Sequence, residues 1–308
     1  MQLIDFDNLE ALPSLVATVG FFDGVHAGHR FLIEQVRSYA REKGLASAVI
    51  TFKEHPRKVL NSNFVPELLN TFQEKVSLLA ETGIDYCVAI SFTKEMSQMP
   101  AQDFIATILK EQLHVSSLFV GYDHRFGYNR AEGYYDYKKY GEEVGIEVIQ
   151  AKEFNPSLHI SSSHIRKLLE CGEVQNAAKL FTYNYMLSGI VVEGFKVGRT
   201  IGYPTANVDV TDPEKIIPAN GIYAVWVSLE NHSRKYKGML YIGNRPTLYN
   251  DGKRSIEVNI FDLEGNLYSK KIILEFVSFV RGDHHFASIT ELTEQITRDK
   301  EVVLGIMK

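Results

Sequence analysis

Cysteine is nearly absent: Cys87 and Cys171 are the only two among 308 residues. That is too few for a disulfide framework, and their spacing matches no metal cluster. Long apolar runs are missing too. They stay short, as at Leu15–Val19, whereas a membrane span needs about 20 residues. The opening MQLIDFDNLE is acidic and lacks the basic start and apolar block of a secretory signal. Neither half has a basic excess. Residues 1–182 carry a net charge of −5 and residues 183–308 a net charge of zero, so the field of a nucleic-acid binder is lacking. Any phosphate ligand must therefore be held by local donors and a cation. Disorder is excluded, since 45% of residues are hydrophobic and 23% are charged. A reducing cytoplasm fits these absences. At roughly 100–200 residues per domain, the length suggests about two domains.

What is present divides the chain in two. Short apolar strands are expected at 15–20, 46–52, 86–91, 117–121 and 146–151. Helices are expected between them at 28–43, 72–82, 101–111 and 134–144. This alternation predicts an α/β domain, a parallel sheet covered on both faces. After about residue 181 the texture changes. Strand-like runs at 191–192, 222–229, 237–242, 255–261 and 272–280 are separated by turn signals, and the next long helix is expected at 288–298. That half reads as an antiparallel β-barrel with one terminal helix. The division falls near residues 182–185, giving domains 1–182 and 183–308.

The strongest motif is TVGFFDGVHAGHR at 18–30. A strand ends at Gly20 and a helix opens near Gly28. His26 and His29, three apart, can face one point at the helix start, where free N–H groups and the positive dipole end also lie. Gly24 and Gly28 let a bulky anion approach the backbone. The plainer alternative is two ordinary loop and helix residues. In ISSSHIRKLL at 160–169, Ser162 and Arg166 are four apart and share a face. Hydroxyls and a guanidinium at a helix start can cradle phosphate, or the serines can simply cap the helix. The loops TFKEHPRKVL and VGYDHRFGYNRAEG mix aromatic and polar groups after strands. They suit either a stacking pocket for a planar ligand or a plain surface.

In the second half, GFKVGRTIGYPTAN at 194–207 places three glycines before Thr205 and Asn207. A glycine-rich loop can expose N–H groups to phosphate, and a hydroxyl and an amide oxygen suit Mg²⁺. It is not a Walker A motif, because no G-K-[ST] follows. A simple hairpin is the alternative. In SIEVNIF at 255–261, Ile256, Val258 and Ile260 alternate with Glu257, Asn259 and Phe261. Glu257 is then either a general base held on a strand or a solvent-facing carboxylate.

GFFDGVHAGH, TFKEHP, GYDHRFG and ISSSHIRKLL, in this order, resemble the adenylyltransferase half of the bacterial bifunctional riboflavin kinase/FAD synthetases. GRTIGYPTANV, PANGIYAV, YIGNRPT, IEVNIFD and FVRGDHHF resemble the kinase half of the same family. The resemblance spans about residues 15–299. It implies a Rossmann-like nucleotidyltransferase domain and a six-stranded antiparallel barrel. It also implies catalytic roles for His26, His29, Arg166 and Glu257. ATP contacts would come from Gly20, Phe22, Asp23, Gly28, Ser161, Ser162 and Ser163, and in the kinase from Gly198, Arg199, Thr200, Gly202 and Thr205. Flavin contacts would come from His55, Pro56, Asp123, Arg125, Phe126, Arg281 and Phe286, and Mg²⁺ ligands from Thr205 and Asn207. The chain departs from the family pattern at Phe21, His124, 183–185, Glu193 and Phe195.

The expected function is phosphorylation of riboflavin to FMN by ATP, then adenylylation of FMN by a second ATP to FAD and pyrophosphate. The expected partners are riboflavin, FMN and ATP, with neither nucleic acid nor membrane; oligomeric state stays open. A nucleotidyltransferase with another acceptor would have no use for the kinase-like half. A non-catalytic flavin regulator would have lost His26, His29, Thr205, Asn207 or Glu257, and all are present.

Overall fold

The computed structural model describes every residue except 10, 62, 123, 156–159, 195–197, 199–200, 231, 233, 245–253 and 264. Two compact units emerge, Met1–Ser162 and Ser163–Lys308.

The first unit runs β1 (Gln2–Asp5), β2 (Leu15–Val19), α1 (Ala27–Lys43), β3 (Ala46–Phe52), α2 (Pro56–Leu60) and α3 (Phe72–Glu81). It continues through β4 (Tyr86–Ile90), α4 (Lys94–Ser97), a two-part helix α5 (101–112) and β5 (Val115–Val120) to α6 (Tyr134–Val144) and β6 (Glu147–Gln150). The six strands are ordered β1-β4-β3-β2-β5-β6, and every adjacent pair is parallel. All five residues of β2 are buried, as a central strand covered on both faces requires. Ile33, Val36 and Ala40 form the buried stripe of α1, and Gly44 ends that helix in the left-handed conformation at φ 68°. Order reverses at β2: β3 pairs on one side of it and β5 on the other. Ligands of open α/β sheets bind outside the carboxyl ends of strands at such a point, and the 20–26 loop follows β2 there.

Two local features differ from the sequence expectation. The segment expected as an ordinary helix at 101–111 is a short α turn, Ala101–Asp103, continued as a π-helix over Phe104–Gln112; together they form α5. β1 was not expected. Its four residues hold only two large apolar side chains, and parallel pairing with β4 makes it a strand.

The second unit holds α7 (Ser162–Glu170, whose first residue belongs to the first unit), α8 (Val174–Phe181), β7 (Met186–Val192), β8 (Ala206–Asp209) and β9 (Gly221–Leu229). Then come β10 (Lys235–Asn244), β11 (Arg254–Ile260), β12 (Lys271–Arg281) and α9 (Ile289–Ile306). The six strands close a barrel in the order β10-β11-β8-β7-β12-β9, antiparallel throughout. Tyr223, Val225, Leu240, Val258, Leu274 and Phe276 alternate into buried positions along these strands. Positions of the other parity are covered too. Ile222, Ala224, Met239 and Phe261 pack with Val303 and Met307 from the α9 end. α9 is thus longer than the expected 288–298, because its second half supplies apolar cover to the barrel.

Candidate active sites

The loop between β2 and α1 is built from unusual backbone. Phe22, Gly24 and Val25 have φ of 54°, 85° and 34°. Glycine takes this conformation freely, whereas Phe and β-branched Val are strained by it. Anchors hold the loop. Phe22 and Val25 are buried. A Cβ on Gly20 would sit 2.9 Å from the Phe22 ring, so the close approach requires glycine there. Asp23 is buried; its Oδ1 accepts the amides of Leu69 and Asn70 at 3.0 and 3.3 Å, and its carbonyl accepts the Ser162 hydroxyl at 2.8 Å.

His26 caps α1, and its Nδ1 accepts the His29 amide at 3.3 Å. That nitrogen therefore carries a lone pair, which puts the proton of the neutral ring on Nε2. The two imidazoles stack with centroids 3.6 Å apart. Burial pulls His26 down to about 4. Burial also holds His29 well below the ordinary histidine value, with smaller contributions from His26, His124 and Lys75. Both rings are neutral near pH 7. The site thus offers an anion N–H donors and a helix N-terminus, not standing positive charge. A Cβ on Gly28 would touch the His26 ring at 3.4 Å.

Around this loop, His55 caps α2 by accepting the Arg57 amide at 3.1 Å, with Pro56 in the first turn. The His55 ring meets Phe21 edge-on at 4.8 Å and Phe64 at 5.4 Å. Arg125 is exposed. Phe126 is half-buried and stacks on Tyr137 at 4.2 Å, and the Tyr137 hydroxyl binds both its amide and its carbonyl. Asp123 lies outside the described residues. In the second unit, Ser163 is exposed and Arg166 half-buried; Ser161 is half-buried in the first unit.

One residue here escaped the sequence reading. Lys75 is 3% exposed, with Nζ donating to the Phe21 carbonyl at 3.1 Å, the Thr51 hydroxyl at 3.2 Å and the Phe52 carbonyl at 2.9 Å. Its spacing from the buried Leu78 and Leu79 was the available signal, since positions i, i+3 and i+4 share the apolar stripe of a helix.

The second site lies on β8 and β11. Asn207 stands directly opposite Glu257 in the ladder. The Glu257 carboxylate accepts the Thr205 hydroxyl at 3.1 Å on one oxygen and the Ser255 hydroxyl at 2.9 Å on the other. Glu257 is half-buried, while Asn259 and Phe261 on the same face are buried, so this face is not simply solvated. Asn259 donates its amide to the Pro204 carbonyl at 2.7 Å, which fixes the P-T-A-N turn. Glycines admit the close contacts. A Cβ on Gly194 would collide with the Asn207 side chain, and one on Gly198 with the Tyr203 carbonyl. Gly202 has φ 82°. Tyr203 shares a 2.8 Å hydrogen bond with Thr297 of α9. Arg199 and Thr200 lie outside the described residues.

Arg281 gives its guanidinium to buried Asp299, with contacts of 3.0, 3.0 and 2.8 Å, and stands 5.7 Å from the Phe286 ring. Tyr241 pairs with Glu257 across β10–β11 and donates to Asp283 at 3.2 Å. Burial, then Asp283, pushes its phenol up to about 12.

Residues 9–164 match the family described as FAD synthetase, and residues 181–307 match the family described as riboflavin kinase. The bifunctional riboflavin kinase/FMN adenylyltransferase of Escherichia coli strain K12 is 34% identical over 304 residues, spanning 97% of this chain and 96% of its own. The chain belongs to the bifunctional riboflavin kinase/FMN adenylyltransferase family. The Bacillus subtilis member is also 34% identical, over 93% of this chain and 90% of its own. A solved Streptococcus pneumoniae structure, described as a macrolide-efflux protein, superposes with a TM-score of 0.87 at 29% identity, covering 98% of each chain. Among the described residues of this family member, no helix is long and apolar enough to cross a membrane.

As a riboflavin kinase/FMN adenylyltransferase, the chain phosphorylates riboflavin to FMN with ATP and adenylylates FMN to FAD with release of pyrophosphate. Riboflavin, FMN and ATP are its substrates, and both families use a divalent metal. The donor set on β8 and β11 suits such an ion, because hydroxyl, amide and carboxylate oxygens are all hard ligands. Among the described residues no group of three His, Cys, Asp or Glu gathers.

Proposed function

We propose that riboflavin phosphorylation is carried by Thr205, Asn207 and Glu257 in domain 183–308. The observation behind this reading is the Glu257 carboxylate, held by hydroxyls on both oxygens and directly opposite Asn207. Glu257 takes the proton of the riboflavin 5′-hydroxyl as that oxygen attacks the γ-phosphorus. Thr205 and Asn207 hold Mg²⁺ with the ATP phosphates, and the ion supplies neutralisation of charge developing on the transferred group. Gly198, Arg199, Thr200 and Gly202 form the phosphate loop, while Arg281 and Phe286 serve the flavin. Arg281 acts mainly by holding the tail against Asp299, since three of its contacts go there.

Adenylyl transfer belongs to domain 1–182. An oxygen of the FMN phosphate attacks the α-phosphorus of ATP; a P–O bond forms, the α–β bridging bond breaks, and pyrophosphate departs. The nucleophile is already ionised near pH 7, so orientation and charge stabilisation suffice. Neutral His26 and His29 donate N–H groups to the phosphates, aided by Ser161, Ser162, Ser163 and Arg166. Gly20, Phe22 and Gly28 shape the ATP face. Asp23, on the same ATP face, also latches the loop, its Oδ1 accepting the amides of Leu69 and Asn70. His55, Pro56, Asp123, Arg125 and Phe126 serve the flavin. Two free cysteines support a cytoplasmic enzyme, and the lack of a basic excess in either half supports the absence of nucleic-acid partners. The test is direct: variants at His29 and Glu257 are incubated with riboflavin and Mg·ATP, and FMN is separated from FAD. The expected pattern is loss of FAD with FMN accumulating for the first, and for the second loss of FMN and of the FAD made from it, with FAD restored when FMN is supplied; any other assignment of losses rejects it.

A further inference from the structure

A lysine ammonium removed from water is costly unless its donors are met and something is gained by keeping it. Lys75 is such a group. It comes from α3, yet all three of its protein acceptors lie where β2 and β3 end: the Phe21 carbonyl, the Thr51 hydroxyl and the Phe52 carbonyl. The Thr51 hydroxyl also donates to the Phe21 carbonyl at 3.1 Å, which closes a triangle of hydrogen bonds. The ammonium stands 4.2 Å above the Phe21 ring and 5.5 Å from that of Phe72. Phe21 opens the left-handed stretch through Phe22, Gly24 and Val25 that delivers His26 to the start of α1. A strained path of this kind persists only where its surroundings over-determine it.

We propose that Lys75 is a positioning residue for adenylyl transfer: its ammonium ties Phe21 to the end of β3 and so aims the His26–His29 pair. The inference rests on the assignment of that pair to adenylyl transfer. The same charge opposes protonation of His29. The charged and titratable groups around the pair are Asp23 of the loop, Cys87 of β4, His26, and His124 beyond β5. Burial brings Lys75 itself down to about 8, with Asp23 acting to hold its proton. It is therefore mainly charged near pH 7, where His29 is neutral.

Two substitutions separate the charge from the hydrogen bonds. Lys75→Met removes both, and Lys75→Gln removes the charge but keeps an amide donor for the carbonyls. Misplacing a reacting group by about 1 Å can cost about 100-fold. The expected result is an adenylylation kcat reduced about 10- to 100-fold by Lys75→Met and less by Lys75→Gln. Riboflavin phosphorylation, measured on the same preparations, serves as the internal control. In both variants the NMR titration of the His29 ring should move up in pH, because a positive neighbour has gone. Should Lys75→Met fail to fold, Lys75→Gln gives the same two readouts. An adenylylation kcat within about twofold of wild type in Lys75→Gln, well short of that positional cost, together with an unmoved His29 titration, would overturn the proposal. His29→Ala run in parallel keeps the premises apart: if it too adenylylates FMN normally, the histidine assignment fails, and if it does not, only the role of Lys75 fails.

Discussion

The histidine pair at the start of α1 and the carboxylate on β11, the two places proposed to meet phosphate charge, are made of different materials. The first site rests on strained backbone, and its two imidazoles are pushed toward neutrality by burial. The second lies on a regular antiparallel ladder, where hydroxyls, an amide and a carboxylate sit at fixed register. On the proposed assignment, the difference matches the two reactions. FMN phosphate is a ready nucleophile, so its site must orient reactants and stabilise charge. A riboflavin hydroxyl must lose a proton, so its site needs a base on a stiff element. Strand geometry supplies stiffness without strain, while the loop trades strain for N–H groups that converge at a helix start.

The largest expected effect falls on both regions together. Excess chelator should abolish both half-reactions, measured by product separation, and restored Mg²⁺ should recover them. Activity surviving chelation in either half would divide the sites in a way not anticipated above. Glu257→Gln comes next. General-base catalysis contributes about 10²–10⁴-fold, so phosphorylation should fall by that order while adenylylation of supplied FMN stays near wild type. His29→Ala should do the reverse, lowering FAD formation about 10²–10³-fold while FMN accumulates. Equal losses in both half-reactions from either variant would erase the proposed division.

A smaller effect concerns stability. His26 titrates at about 4 in the folded chain, against 6.5 ordinarily. The unfolded chain therefore binds more protons between these values, and stability falls as pH drops through that window. The slope attributable to His26 is at most about 1.4 kcal/mol per pH unit. Denaturant midpoints taken at several pH values should show a shallower slope in His26→Asn, which keeps a capping side chain but cannot titrate; an unchanged slope would remove burial of His26 as a cause. The smallest effect is expected from Tyr203→Phe. Its hydroxyl contact with Thr297 is exposed, so a cost of about 1 kcal/mol or less is expected from thermal unfolding.

Both folds were legible where hydrophobic pattern and secondary structure coincide. β2, β3, β4 and α6 fall close to where alternation and helical spacing predict them. Features decided by distant partners were not. β1 becomes a strand because β4 offers an edge, and the π register of Phe104–Gln112 is a choice of hydrogen-bond partner that side-chain spacing does not encode. The site motifs showed the same limit. The sequence pointed to His26, His29, Thr205 and Asn207 by type and spacing, and to Glu257 through the family resemblance. It did not reveal that the Asp23 Oδ1 would accept from Leu69 and Asn70, that Arg281 would face Asp299, or that Lys75 would be buried. Each depends on a contact between residues at least 18 positions apart, beyond any local periodicity.

β1 also has a consequence in time. It pairs in parallel with β4, and Tyr86, the partner of Gln2, is 84 positions further along the chain. At about 5–20 residues per second on the ribosome, roughly 4–17 seconds separate their synthesis. Through that interval β1 has no ladder to join and must wait unpaired while β2, α1 and β3 are made. Asp5 and Asp7, which ion-pair with Lys53 in the finished fold, place negative charge on and beside the waiting strand and so discourage it from pairing with a neighbouring nascent chain.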